Sequence, residues 1–125
     1  MANKHIDDLR ITIGELLIDL RDNVFYGDSQ LQGDFTLVEF FFKKLNDTSL
    51  INYIVKHILP YEGRISSRDL NFFITKKNDI FGGLPQNRVD YITNKVIKLP
   101  KDDTDVLWAY FDSILNSIKQ YKKDT

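Results

Sequence analysis

This sequence predicts an all-α fold, a compact bundle of about six helices. Three observations predict it. Apolar residues recur at steps of three and four along most of the chain. Gly, Pro and capping residues punctuate those runs and leave only short loops between them. No strand-like alternation bounded by hairpin turns occurs, nor any internal repeat.

In the first helix Ile6, Leu9, Ile13, Leu16, Leu17, Leu20 and Val24 fall on one stripe. Ile11, Gly14, Ile18 and Phe25 fall at roughly the opposite angle, a second stripe. Residues 26–34 hold two Gly and several turn formers and read as a loop, after which Asp34 caps a second helix. That helix carries Phe35, Leu37, Val38, Phe40, Phe41, Phe42 and Leu45. Consecutive residues advance about 100°, so it is either buried all round or presents an aromatic to a partner.

Asp47, Thr48 and Ser49 offer capping oxygens to a third helix with Leu50, Ile51, Ile54, Val55, Ile58 and Leu59, ended by Pro60. Tyr61 to Arg64 connect. Ser66 or Ser67 with Asp69 opens a fourth helix bearing Leu70, Phe73 and Ile74, its face widened by Phe72. Asp79 to Pro85, with Gly82-Gly83, is the clearest break. A fifth helix follows from about Pro85 to Lys98, with Val89, Ile92 and Val96 in register and Pro100 beyond its end. Asp102, Asp103 or Thr104 caps the last helix, which carries Leu107, Tyr110, Phe111, Ile114, Leu115, Ile118 and Tyr121. Residues 1–121 thus read as a single helical domain and 122–125 as a polar C-terminal tail.

Composition excludes several chemistries. The chain has no Cys, hence no disulfide, thiol nucleophile or Cys-based metal site. No stretch approaches the roughly 20 apolar residues that span a bilayer, so the expectation is a soluble intracellular protein without a membrane segment. His5 and His57 lack a second ligand at helical metal spacing, and no metal or cofactor is expected. Gly82-Gly83 is followed by Leu-Pro-Gln rather than the Lys-Ser/Thr of a phosphate loop, which favours a structural break. The pairs Asp7-Asp8 and Asp102-Asp103 sit at expected helix starts, where the helix dipole accounts for them. No catalytic constellation emerges, and the expectation is that the chain is not an enzyme.

Charge is uneven. Residues 1–40 hold three basic and eight acidic side chains, whereas residues 41–100 hold ten and five. The basic residues Lys43, Lys44, Lys56, Arg64, Arg68, Lys76 and Lys77 would form a phosphate-binding patch if they converged, with Tyr61 stacking on a base. Surplus apolar faces on the first two helices point first to a protein partner or self-association, with Ile11, Gly14, Ile18, Phe25 and Tyr26 as the contacts. The leading expectation is therefore a non-enzymatic interaction or assembly protein. A nucleic-acid-associated factor is the alternative, and a small enzyme with a pocket assembled from distant residues the third.

Arg68-Asp69-Leu70-Asn71-Phe72-Phe73, Ile80-Phe81-Gly82-Gly83-Leu84-Pro85 and Val106-Leu107-Trp108-Ala109-Tyr110-Phe111 resemble a pattern in small helical proteins of nucleocytoplasmic large DNA viruses. The resemblance covers roughly residues 66–121. A composition poor in Ala and rich in Ile, Asn, Lys, Phe and Tyr, as in an AT-rich genome, is compatible with it. The resemblance carries no active-site residue. It implies a virion component or an accessory factor of a cytoplasmic viral factory.

Overall fold

The computed structural model describes residues 2–81 and 83–125. Its α-helices among these are α1 (Ala2–Asp19), α2 (Ser29–Lys44), α3 (Asp47–His57), α4 (Glu62–Ser66), α5 (Asn71–Ile80), α6 (Gln86–Ile97) and α7 (Lys101–Asp124). Six of them have ten residues or more, and α4 is a five-residue addition. The described residues contain no strand. The fold is all-α, as the periodicity implied.

Helices α1 and α7 form an antiparallel pair. His5 Nε2 donates to Asp124 Oδ2 at 2.7 Å at one end, and Tyr110 Oη donates to Asp19 Oδ2 at 3.0 Å at the other. Along the pair, the first stripe of α1 is core: Ile6, Leu9, Ile13, Leu16, Leu17 and Leu20 are all buried. They join Leu107, Trp108, Phe111, Ile114, Leu115 and Ile118 of α7 in one hydrophobic cluster. At its other side the cluster is aromatic. Phe72 and Phe111 lie 5.4 Å apart, Phe73 and Trp108 4.9 Å, in the tilted and edge-on arrangements that ring quadrupoles favour.

Beyond Asp19 the helix widens into a π turn, Leu20–Val24, closed by the Phe25 N–H donating to Leu20 O at 2.9 Å. A bond spanning five residues takes up one residue more than an α turn. It moves Phe25 off the angle that straight-helix spacing gave it. The Phe25 ring is half-buried and stacks on Phe35 at 5.7 Å.

The expected 26–34 loop is shorter than its composition suggested. Gly27, at φ +89, makes the turn, and Asp28 caps α2 by accepting from the Leu31 N–H at 3.1 Å. Asp34 is therefore not a cap; it lies inside α2, and its Oδ2 accepts from Arg88 Nε of α6 at 2.9 Å. Burying Leu31, Phe35 and Val38 outweighs the cost of about 1 kcal/mol for Gly33 in a helix.

Other boundaries shift by a few residues. Asn46 caps α3, accepting from the Ser49 N–H at 2.8 Å, one residue before the expected caps. After Pro60 the short α4 ends in a Schellman turn, with Arg68 N–H bonded to Ile65 O and Asp69 N–H to Arg64 O. Arg68 occupies the left-handed position at φ 58 that usually takes Gly. Helix α5 starts at Asn71 rather than near Ser66. Helix α7 starts directly after Pro100, and the Thr104 hydroxyl donates back to Lys101 O at 3.0 Å instead of capping. Lys122 to Asp124, expected as a tail, continue α7 against α1.

Candidate functional site

Arg21, in the π turn, reaches Thr36 Oγ1 at 3.4 Å and Glu39 at 3.7 Å. Arg10 donates to Leu45 O and to Asp47 Oδ1, both at 2.8 Å. These contacts run α1 and α2 as an antiparallel hairpin. Five exposed large hydrophobics belong to this hairpin: Ile11 at 58%, Ile18 at 42%, Tyr26 at 82%, Leu37 at 58% and Phe40 at 56%. Ile11 and Ile18 are seven residues apart on α1 and share one face.

Of the contact residues expected from sequence, Ile11, Ile18 and Tyr26 are thus exposed. Phe25 is half-buried against Phe35. Gly14 is half-buried and lines a cleft of about 410 Å³. That cleft lies where α1, α2 and α3 meet, with an apolar floor of Ile13, Leu17, Phe42 and Leu50. Charged Arg10, Glu39 and Lys43 stand at its edge. Leu37 and Phe40 join the exposed surface without having been singled out as contacts, and they decide between the two readings of this helix: it is not buried all round.

The seven basic residues do not act as one set. Arg68 binds Asp112 through both terminal nitrogens, at 2.9 and 2.7 Å. Lys77 pairs with Asp90 at 2.7 Å and Lys76 with Asp79 at 2.9 Å. Lys44 Nζ sits 4.3 Å above the Phe40 ring, and Arg64 donates to Thr75 Oγ1 at 3.3 Å. Lys43 faces Glu39 at 3.9 Å, and Lys56 is exposed. Tyr61, half-buried, has Lys76 5.0 Å and Arg64 5.7 Å from its ring centre.

The densest titratable cluster is one the sequence did not mark. Lys76 is buried, and its Nζ donates to His57 Nδ1 at 3.0 Å while pairing with Asp79. Burial holds the His57 pKa below its ordinary value; Asp79 opposes this, and Lys76 and Lys56 add to it. The Tyr53 ring packs 4.8 Å from His57, and its buried hydroxyl has no hydrogen-bond partner among the described residues. Burial, and then the charge of Asp79, push the Tyr53 phenol up. Within this cluster the Lys76 ammonium is engaged by His57 and Asp79, whereas the Tyr53 hydroxyl is left over.

Among the described residues, no group of three or more His, Asp or Glu is placed to hold a metal ion, and no helix is long and apolar enough to cross a membrane. The expected break at Gly82-Gly83 falls partly on Gly82, which lies outside the described residues.

Fold and site together define an all-α protein with exposed apolar side chains on its α1–α2 hairpin and a cleft where α1, α2 and α3 meet. No protein-family model, curated protein or solved structure matches the chain.

Proposed function

We propose that this chain is a non-enzymatic interaction protein that self-associates through the exposed face of the α1–α2 hairpin. One observation carries the reading: five of the large exposed apolar side chains, Ile11, Ile18, Tyr26, Leu37 and Phe40, belong to this one hairpin and its turn. Apolar area left in water on adjacent helices is a standing incentive to associate. Titratable groups that do come together, His57, Lys76 and Asp79, bind one another and leave little capacity for acid–base work. The viral resemblance supplies a setting, a virion component or a factor of a cytoplasmic viral factory.

A nucleic-acid reading has less support. Three of its seven cations hold carboxylates at 2.9 Å or less, and Lys43, Lys44, Lys56 and Arg64 would have to carry phosphate binding between them.

Light scattering on a gel-filtration peak, with ultraviolet absorbance recorded on the same peak, tests both readings. A discrete multimer with a protein spectrum, reduced to a monomer by Ile18→Glu with Phe40→Glu, is expected. A wild-type chain that stays monomeric at every concentration overturns self-association. Excess nucleic-acid absorbance that salt removes would favour the alternative.

A further inference from the structure

Beneath the cleft lies a second space of about 40 Å³, walled almost entirely by apolar side chains. Ile13, Leu17 and Phe42 belong to both linings, so the two spaces adjoin at these side chains. Phe42 is half-buried and sits edge-on to Tyr53, with ring centres 5.4 Å apart. Tyr53 also lines the inner space, and its buried hydroxyl has no hydrogen-bond partner among the described residues. A donor of this kind is costly to leave unpaired in an apolar surrounding. A water would need two to four polar partners, and the side chains around the inner space offer one.

At the outer edge Lys43 is the exposed cation. Glu39 is shared between Arg21 at 3.7 Å and Lys43 at 3.9 Å, both long for an ion pair, and the Lys43 side chain is 69% exposed. Gly14 widens the opening, since a Cβ placed there would meet nothing within 4 Å. The outer volume falls within the range of about 300–1,000 Å³ usual for small-molecule sites.

We propose that cleft and inner space together bind a small amphipathic molecule with an apolar, ring-sized body, a carbonyl-type acceptor at its buried end and an anionic group at its exposed end. The body lies on Ile13, Leu17 and Phe42. A rotamer change at Phe42 admits the acceptor to the Tyr53 hydroxyl, which donates to it, and Lys43 faces the anion. This site goes beyond the association surface and shares only Gly14 with the contacts expected there, so either can fail without the other.

Para-acetylbenzoate and para-isopropylbenzoate form a probe pair with the same number of heavy atoms, differing in the acceptor oxygen. Their dissociation constants would be measured by nuclear magnetic resonance titration on the wild type, Tyr53→Phe and Gly14→Leu. The wild type is expected to bind the acetyl probe about tenfold more tightly than the isopropyl one, because only the ketone satisfies the buried donor. Tyr53→Phe should erase that preference while binding both. Gly14→Leu should weaken both probes in a chain that unfolds no earlier than the wild type, since it replaces a helical Gly pointing into open space. Lys43→Glu, at a side chain 69% exposed, should weaken both carboxylates. Equal affinity of the wild type for the two probes, or no perturbation of Ile13, Leu17 and Phe42 resonances by either, overturns the proposal.

Discussion

His57, beside Lys76, contributes a pH response to the fold. In the folded chain His57 accepts a hydrogen bond from Lys76 through Nδ1, which requires that nitrogen to be unprotonated. Burial favours the same neutral form, Lys76 and Lys56 add to the preference, and Asp79 opposes it. The folded-state pKa therefore lies below the ordinary 6.5, and the unfolded chain binds more protons between the two values. This contribution to stability is complete above 6.5 and is lost as pH falls through the folded-state pKa. The thermal midpoint should drop with acidification in that window, and His57→Gln should flatten the slope; a wild-type midpoint level through it would contradict the geometry. Tyr53 yields the opposite kind of prediction. Removing its unpartnered hydroxyl with Tyr53→Phe should leave stability unchanged or raise it, by up to about 1–3 kcal/mol, in urea unfolding. Tyr110 differs: burial, and then its hydrogen bond to Asp19, push its phenol up to about 12, so Tyr110→Phe discards a made bond.

At the level of elements, α2 shows how a local pattern can mislead. Gly33 and Asp34 are turn formers by composition, yet the chain is already helical at Ser29 because Asp28 caps it and Leu31, Phe35 and Val38 are buried. A Cβ on Gly33 would meet nothing within 4 Å. Gly33→Ala should therefore stabilise the protein by about 0.5–1 kcal/mol, read as a higher urea midpoint with an unchanged slope. Were the segment a loop, no such gain would follow. In α5 the argument concerns packing. Phe72 is fully buried among Phe73, Trp108 and Phe111, and Phe72→Ala should cost about 3–5 kcal/mol in the same measurement.

For the whole molecule, the charge imbalance between segments is partly resolved inside the fold. Asp34 of the acidic first segment holds Arg88 of the basic middle, and Asp112 of α7 holds Arg68. Lys119 also meets Glu62, tying α7 to α4. Five of the large apolar side chains left exposed lie on the α1–α2 hairpin. Self-association driven by that face should persist in high salt, because screening weakens charge pairs and leaves apolar burial intact. Gel filtration with light scattering at low and high ionic strength checks this, and a multimer dissolved by salt would point to the charged edges instead.

Local chemistry by itself determined the all-α class, the core stripe of α1, the apolar face of α7 and the break before Pro85. Each rests on side-chain spacing set by 3.6 residues per turn, which needs no knowledge of neighbours. The second stripe on α1 was legible for the same reason, and Ile11 and Ile18 lie exposed on it. Tertiary packing decided what periodicity could not. It set the π turn that carries Phe25 to Phe35, the helical start at Ser29, the inward pairing of Asp34 with Arg88, and the enclosure of Lys76 with His57 and Asp79. It also made the cleft, whose floor comes from α1, α2 and α3. These features depend on which residues distant in sequence meet, and the free energy of burial and of paired charge is fixed only when they do.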